Sequence, residues 1–105
     1  MKSISIALLA TAGLLASGVT QAADETALAT SKGCMACHNV DKKIIGPAYK
    51  EVAAKYKADK DAATKLAAKV KAGGSGVWGP VPMPPNAQIA DADIKTLVAW
   101  VLSLK

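Results

Sequence analysis

Cys34, Cys37 and His38 stand in the chain as C-M-A-C-H. Two thiols at i and i+3 on a helical turn point the same way, and an imidazole follows at once. This is the spacing of c-type haem attachment. Each cysteine can add across one vinyl group, and His38 is then carried under the iron as an axial ligand. Other readings of the pentapeptide are weaker. Zinc wants four ligands, usually as two separated pairs, and the chain holds only these two cysteines and this histidine. Carboxylates could complete a zinc site, but nothing in the sequence places them. A thioredoxin-like redox pair sits near a βαβ pattern, and no strand-like alternation leads into Cys34. A plain disulfide suits an oxidising compartment but gives His38 no purpose.

A second axial ligand is sought among the methionines. Met1 belongs to the leader-like start, and Met35 lies inside the attachment motif on the wrong side. Met83 remains, within Pro82-Met83-Pro84-Pro85. Each proline fixes φ near −65° and removes an N–H, so the thioether is held with little ordering on binding. Methionines commonly just fill cores. In a proline-locked loop downstream of C-x-x-C-H, ligation is the stronger reading. A thioether raises the potential by favouring ferrous iron, and a six-coordinate iron keeps no open site for substrate or gas. Those properties suit outer-sphere electron transfer.

The elements that must position these residues are read as helices. Residues 1–22 have the form of a secretory signal peptide: Lys2, an apolar stretch over 4–15, and Thr20-Gln21-Ala22 before a cleavage point after Ala22. An uncleaved anchor is the alternative, but the apolar run is short for a span of ~20 residues. Residues 23–105 are then one domain, small enough to need a staple, a metal or a cofactor. Phe is absent, and the aromatics are Tyr49, Tyr56, Trp78 and Trp100, so a flat macrocycle would fill volume that side chains do not.

Four helices are expected. The first covers 24–31 with Gly33 closing it, the second 49–56, and the third 61–72 with Gly73-Gly74 as its stop. The fourth opens at Asp91 as N-cap, with Ile94, Leu97, Val98, Val101 and Leu102 on one buried stripe. Trp100 lies off that stripe and reads as a packing residue. Residues 73–89, rich in Gly and Pro, read as a rigid loop lying over something apolar.

The formal net charge is +5, or +4 without Lys2, and there is no arginine. Acidic residues are interleaved with the lysines, which excludes a nucleic-acid footprint. The lysines read equally as a solvated surface and as a ring that steers an acidic partner.

With these strings in view the chain resembles the small bacterial class I c-type cytochromes of the c-551/c-552 kind. The resemblance spans residues 24–105. It rests on C-M-A-C-H, on Ile45-Gly46-Pro47, on Gly76-Val77-Trp78-Gly79-Pro80-Val81-Pro82-Met83-Pro84-Pro85-Asn86, and on the closing Ala99-Trp100-Val101-Leu102-Ser103-Leu104-Lys105. It implies an all-α fold, four short helices around one covalently bound haem c, with the first and last helices crossing. It implies that the Pro47 carbonyl accepts the His38 Nδ1–H, that Asn86 donates its amide to the Met83 sulfur, and that Trp78 donates its indole N–H to a haem propionate. Lys69 stands where several relatives place an arginine facing that propionate. Lysine supplies the charge without the planar fork, and solvent exposure is its equal alternative. Ala29 is lighter than the aromatic some relatives carry in the first helix.

The implied function is a monomeric, soluble periplasmic electron carrier of bacterial respiration, in an ammonia- or nitrogen-oxide-using organism. It would exchange electrons with redox proteins: cytochrome complexes, and terminal oxidases or nitrite reductases. No substrate turnover and no stable membrane insertion are expected. The rival readings are a haem-c enzyme or gas sensor with a displaceable Met83, and a thiol oxidoreductase.

Overall fold

Asp24 ties down the start of the first helix. Its carboxylate accepts the Thr26 backbone N–H at 2.9 Å and the Thr26 hydroxyl at 2.6 Å. The computed structural model describes residues 23–105, so the expected signal peptide lies outside the described residues. Helix α1 runs Thr26–Ser31, α2 Tyr49–Tyr56, α3 Ala62–Ala72 and α4 Asp91–Ser103. A 3₁₀ turn over Cys34–Ala36 follows α1. The turn starts after Gly33, whose φ of +81° would strain a residue with a Cβ.

Helix α4 organises the packing, because both α2 and α3 lie against it. The expected stripe is split between two apolar clusters. Leu97 and Val101, with Trp100, meet Ala29, Tyr49 and Val52. Ile94 and Val98 meet Ile89, with Leu66 and Val70 of α3 alongside. Trp100 is buried and sets its edge on the Tyr49 ring, with centroids 5.6 Å apart at 78°. Ala29 has no exposed surface. It brings α1 against α4 at close range because it is small, and Lys32 reaches Asp93 at 3.6 Å beside it.

Two local expectations are corrected. Asp91 is not the N-cap of α4: Ala90 takes that place, in extended conformation, and its carbonyl accepts Ile94 N–H at 3.1 Å. Asp91 instead begins the helix, near its positive end, and its carboxylate pairs with Lys71 of α3. Residues 73–89 are not all loop. Strand β1, Gly74–Gly76, pairs antiparallel with β2, Gly79–Met83, across a two-residue turn at Val77-Trp78. Three glycine-rich residues opposite a strand with two prolines show no period-2 pattern, so the ribbon leaves little trace in sequence. Its prolines are tolerated because a two-stranded ribbon is all edge.

Exposed ion pairs fix the acid behaviour of this frame. The Lys65 ammonium bonded to Asp59 and the Lys71 ammonium bonded to Asp91 hold those carboxyls below their ordinary 3.8, and Asp59 in turn raises Lys65 above its ordinary 10.5. A lowered carboxyl contributes stability above the unfolded value and loses it as pH falls through the folded one. The raised lysine contributes below 10.5 and loses it as pH rises further. The expected result is a small loss of thermal midpoint below about pH 4. Asp59→Asn with Asp91→Asn should flatten that limb of the curve. An unchanged acid limb would dismiss both pairs.

Candidate functional site

The segment after the 3₁₀ turn folds back on it. Asn39 Oδ1 accepts the amides of Asp41 and Lys42 at 2.9 and 3.3 Å, a side-chain-closed turn. The Cys37 carbonyl then receives both Ile45 N–H at 3.2 Å and Gly46 N–H at 2.8 Å. The carbonyls of Asn39 and Val40 take the first amides of α2, from Tyr49 and Lys50, at 2.9 and 3.1 Å. These bonds bring the Pro47 carbonyl to 2.8 Å from His38 Nδ1. A carbonyl only accepts, so Nδ1 carries the proton and Nε2 keeps its lone pair for a metal.

Tyr49 backs the imidazole. Their rings stack with centroids 4.8 Å apart and planes 22° apart. Sequence reading took Tyr49 only as the start of a helix; its place two residues after Pro47 was the available signal. Gly46 makes a second unforeseen contribution. A Cβ there would lie 2.5 Å from His38 Cε1 and 2.8 Å from Nδ1, so only glycine leaves room for the ring.

A cleft of about 540 Å³ opens beside these residues, within the range of small-molecule and cofactor sites. Its walls are the C-x-x-C-H turn, residues 43–47, the ribbon and the loop after it, and Lys69 of α3. Cys34, Cys37, His38, Pro47, Lys69, Trp78, Met83 and Asn86 all line it. The structure therefore gathers these eight residues at one place. Met35 points elsewhere and packs on the first apolar cluster.

The individual placements differ in detail. Met83 is half-buried at the end of β2. Trp78 sits in the ribbon turn with the Lys55 ammonium 5.6 Å from its ring centroid, a cation–π distance. Lys69 is half-buried in the wall, not free in solvent. Asn86 donates its amide to the carbonyls of Val70 and Pro84, each at 3.2 Å. A bond from Asn86 to the Met83 sulfur would require one of these to be given up.

The residues fit a large, flat, apolar group. Ile44, Ile45, Val77, Trp78 and Val81 are the exposed large hydrophobics among the described residues, and all five face this cleft. Surface of that kind collected in one concavity marks a binding site. Cys34 and Cys37 are not joined to each other, and burial raises the Cys34 thiol above its ordinary value. Among the described residues no group of three or more His, Cys, Asp or Glu side chains is arranged to hold a metal ion, which leaves the zinc reading without its four ligands.

Comparison with known proteins bears on the chain as a whole. The Cytochrome c family model matches residues 23–105. Cytochrome c-552 of Nitrosomonas europaea is 50% identical over 105 residues, covering all of both chains. Cytochrome c-551 of Pseudomonas aeruginosa is 52% identical over 100 residues, covering 95% of this chain and 94% of that one. The crystal structure of wild-type Nitrosomonas europaea cytochrome c552 superposes with a TM-score of 0.74 at 56% identity, covering 75% of this chain and 98% of its own.

Proposed function

The chain belongs to the cytochrome c family, and from that premise we propose that it is a periplasmic one-electron carrier whose haem c is ligated by His38 and Met83. Haem c is the family's covalently bound cofactor, and Cys34 and Cys37 are the thiols present for its two thioether bonds. Once bound, the haem supplies an Fe(III)/Fe(II) couple. One observation carries the proposal: His38 and Met83 line the same apolar cleft, and among the described residues no other histidine or methionine does.

The protein's own contribution is restraint. The Pro47 carbonyl pins one imidazole nitrogen and raises the basicity of the other. Tyr49 holds the ring plane from behind. The prolines flanking Met83 limit its loop to one course. A site held on both faces changes little when the electron arrives, which favours fast transfer over bond-making chemistry. Apolar walls exclude water and so favour the less charged state. Trp78, Asn86 and Lys69 complete the surround, with the indole N–H and the Lys69 ammonium available to propionates.

Electron transfer falls steeply with distance, so the donor and acceptor must meet the cleft's edge. Ile44, Ile45 and Val81 form that edge at 51%, 55% and 59% exposure, with the exposed Lys42 and Lys43 adjacent. An apolar patch flanked by Lys42 and Lys43 suits brief docking of acidic redox proteins, of the cytochrome-complex, terminal oxidase or nitrite reductase type. The leader-like residues 1–22 support the periplasm. Among the described residues no helix is long and apolar enough to cross a membrane.

The test is the absorption spectrum of purified ferric and ferrous protein, with and without carbon monoxide. Sulfur-ligated low-spin spectra and no prompt carbon monoxide binding at neutral pH are expected. Prompt, complete binding would favour a gas sensor or haem enzyme. Alkylation of the reduced, denatured chain should leave Cys34 and Cys37 unmodified; reaction at both would return the thiol reading.

A further inference from the structure

Helix α3 ends against the loop that carries Met83. Gly73 closes the helix at φ +71° and ψ −171°, a combination confined in practice to glycine. Its amide donates to the Lys69 carbonyl at 2.7 Å. A Cβ at Gly73 would lie 2.5 Å from the Met83 carbonyl oxygen, 2.8 Å from the Pro85 nitrogen and 3.0 Å from the Pro84 carbonyl carbon. These are backbone atoms, in a segment whose φ angles are fixed by Pro82, Pro84 and Pro85. They cannot step aside as the tip of a side chain would.

The same turn of α3 is fastened to the loop from the other side. The Asn86 backbone N–H is shared between the carbonyls of Val70 at 3.1 Å and Lys71 at 3.2 Å. Its side-chain amide also reaches Val70 O at 3.2 Å. Carbonyls in the last turn of a helix have no partner within it, so the Met83 loop serves as the cap of α3. The neighbouring glycines differ. A Cβ at Gly74 would meet only the flexible Lys69 side chain, its ammonium nearest at 2.7 Å, and one at Gly33 would meet nothing within 4 Å.

We propose that Gly73 is a positioning residue for the Met83 ligand. The missing Cβ at the end of α3 sets how closely the Met83 backbone docks, and thereby how strongly the thioether holds the iron. The inference rests on the reading of Met83 as ligand given above.

The experiment titrates the ferric, haem-loaded protein with imidazole, which competes with Met83, and measures the reduction potential alongside. Gly73→Ala should bind imidazole roughly tenfold or more tightly than the parent, the scale of an overpacked contact, with a lowered potential. Ala62→Gly weakens α3 at its buried start, outside the cleft. It should lower the unfolding temperature and leave imidazole affinity at the parent value. Parent-like affinity and potential in Gly73→Ala would overturn the inference. Should Gly73→Ala load no haem, Gly73→Ala with Pro84→Ala frees the facing backbone. Loaded protein with weaker sulfur ligation than Pro84→Ala alone then supports the inference, and imidazole affinity equal to that of Pro84→Ala alone overturns it. Failure of both to load haem would assign Gly73 to folding alone, and also overturns it. Met83→Ala separates the two readings: if it does not open the iron to imidazole, the ligand reading itself has failed.

Discussion

Replacing Met83 with alanine is expected to lower the reduction potential by on the order of 0.1 V or more, within the roughly 0.8 V that axial ligands command. The soft thioether favours ferrous iron, so its removal shifts the couple toward ferric. Among the described residues no other methionine lines the cleft, so no thioether there replaces it, and the iron is expected to become five-coordinate or take up water. Carbon monoxide should then bind the ferrous protein promptly. Met83→Leu separates ligation from packing, because a Leu-for-Met exchange nearly conserves volume. It should share the low potential while retaining more stability than alanine. Spectroelectrochemical titration of both variants decides the matter, and a potential equal to that of the parent would remove Met83 from the iron.

Gly46→Ala is expected to disable the other face. The new methyl would lie 2.5 Å from His38 Cε1, well inside van der Waals contact. Gly46 shows no positive φ, so the effect is steric and falls on the imidazole. Either the ring swings away from the Pro47 carbonyl, or the chain abandons the Gly46 bond to Cys37 O at 2.8 Å. Both routes cost about 1–3 kcal/mol as overpacking, and the first also frees the Nδ1 proton that fixes the tautomer. The yield of haem-loaded protein should fall severalfold, and the loaded fraction should unfold at lower denaturant. A parent-like spectrum and midpoint would show that the ring has slack the contacts do not suggest.

The sequence made the chemistry legible because that chemistry sits in short, rigid strings. C-M-A-C-H needs only a helical turn, and Met83 is flanked by prolines that act locally. The α4 stripe and the span of α2 followed from periodicity and from Pro47. What stayed hidden depends on approach between segments far apart in the chain. Gly46 entered only within the Ile45-Gly46-Pro47 string and Gly73 as a helix stop, yet each is glycine because of what lies across from it: the His38 ring in one case, the Met83 carbonyl in the other. Asn86 read as a partner for sulfur, and the fold adds a role that the sequence did not show: its backbone and amide cap α3. Asp91 read as a cap, and its carboxylate instead finds Lys71 across the packing of α3 on α4. Tyr49 carries no motif, and only the fold shows it stacked on His38.

The apolar contacts of Ala29, Cys34 and Met35 include Leu97, Trp100 and Val101, residues from opposite ends of the polypeptide. During synthesis the attachment turn emerges early and its partners on α4 emerge last. Until α4 arrives, the turn has residues 45–52 to hold it but lacks the Leu97, Trp100 and Val101 side of its apolar cluster. Fold closure is thus postponed by chain order, giving covalent modification a head start over compaction. A chain stopped before Asp91 should keep both thiols fully reactive to an alkylating reagent; protection in such a fragment would argue that the turn folds unaided.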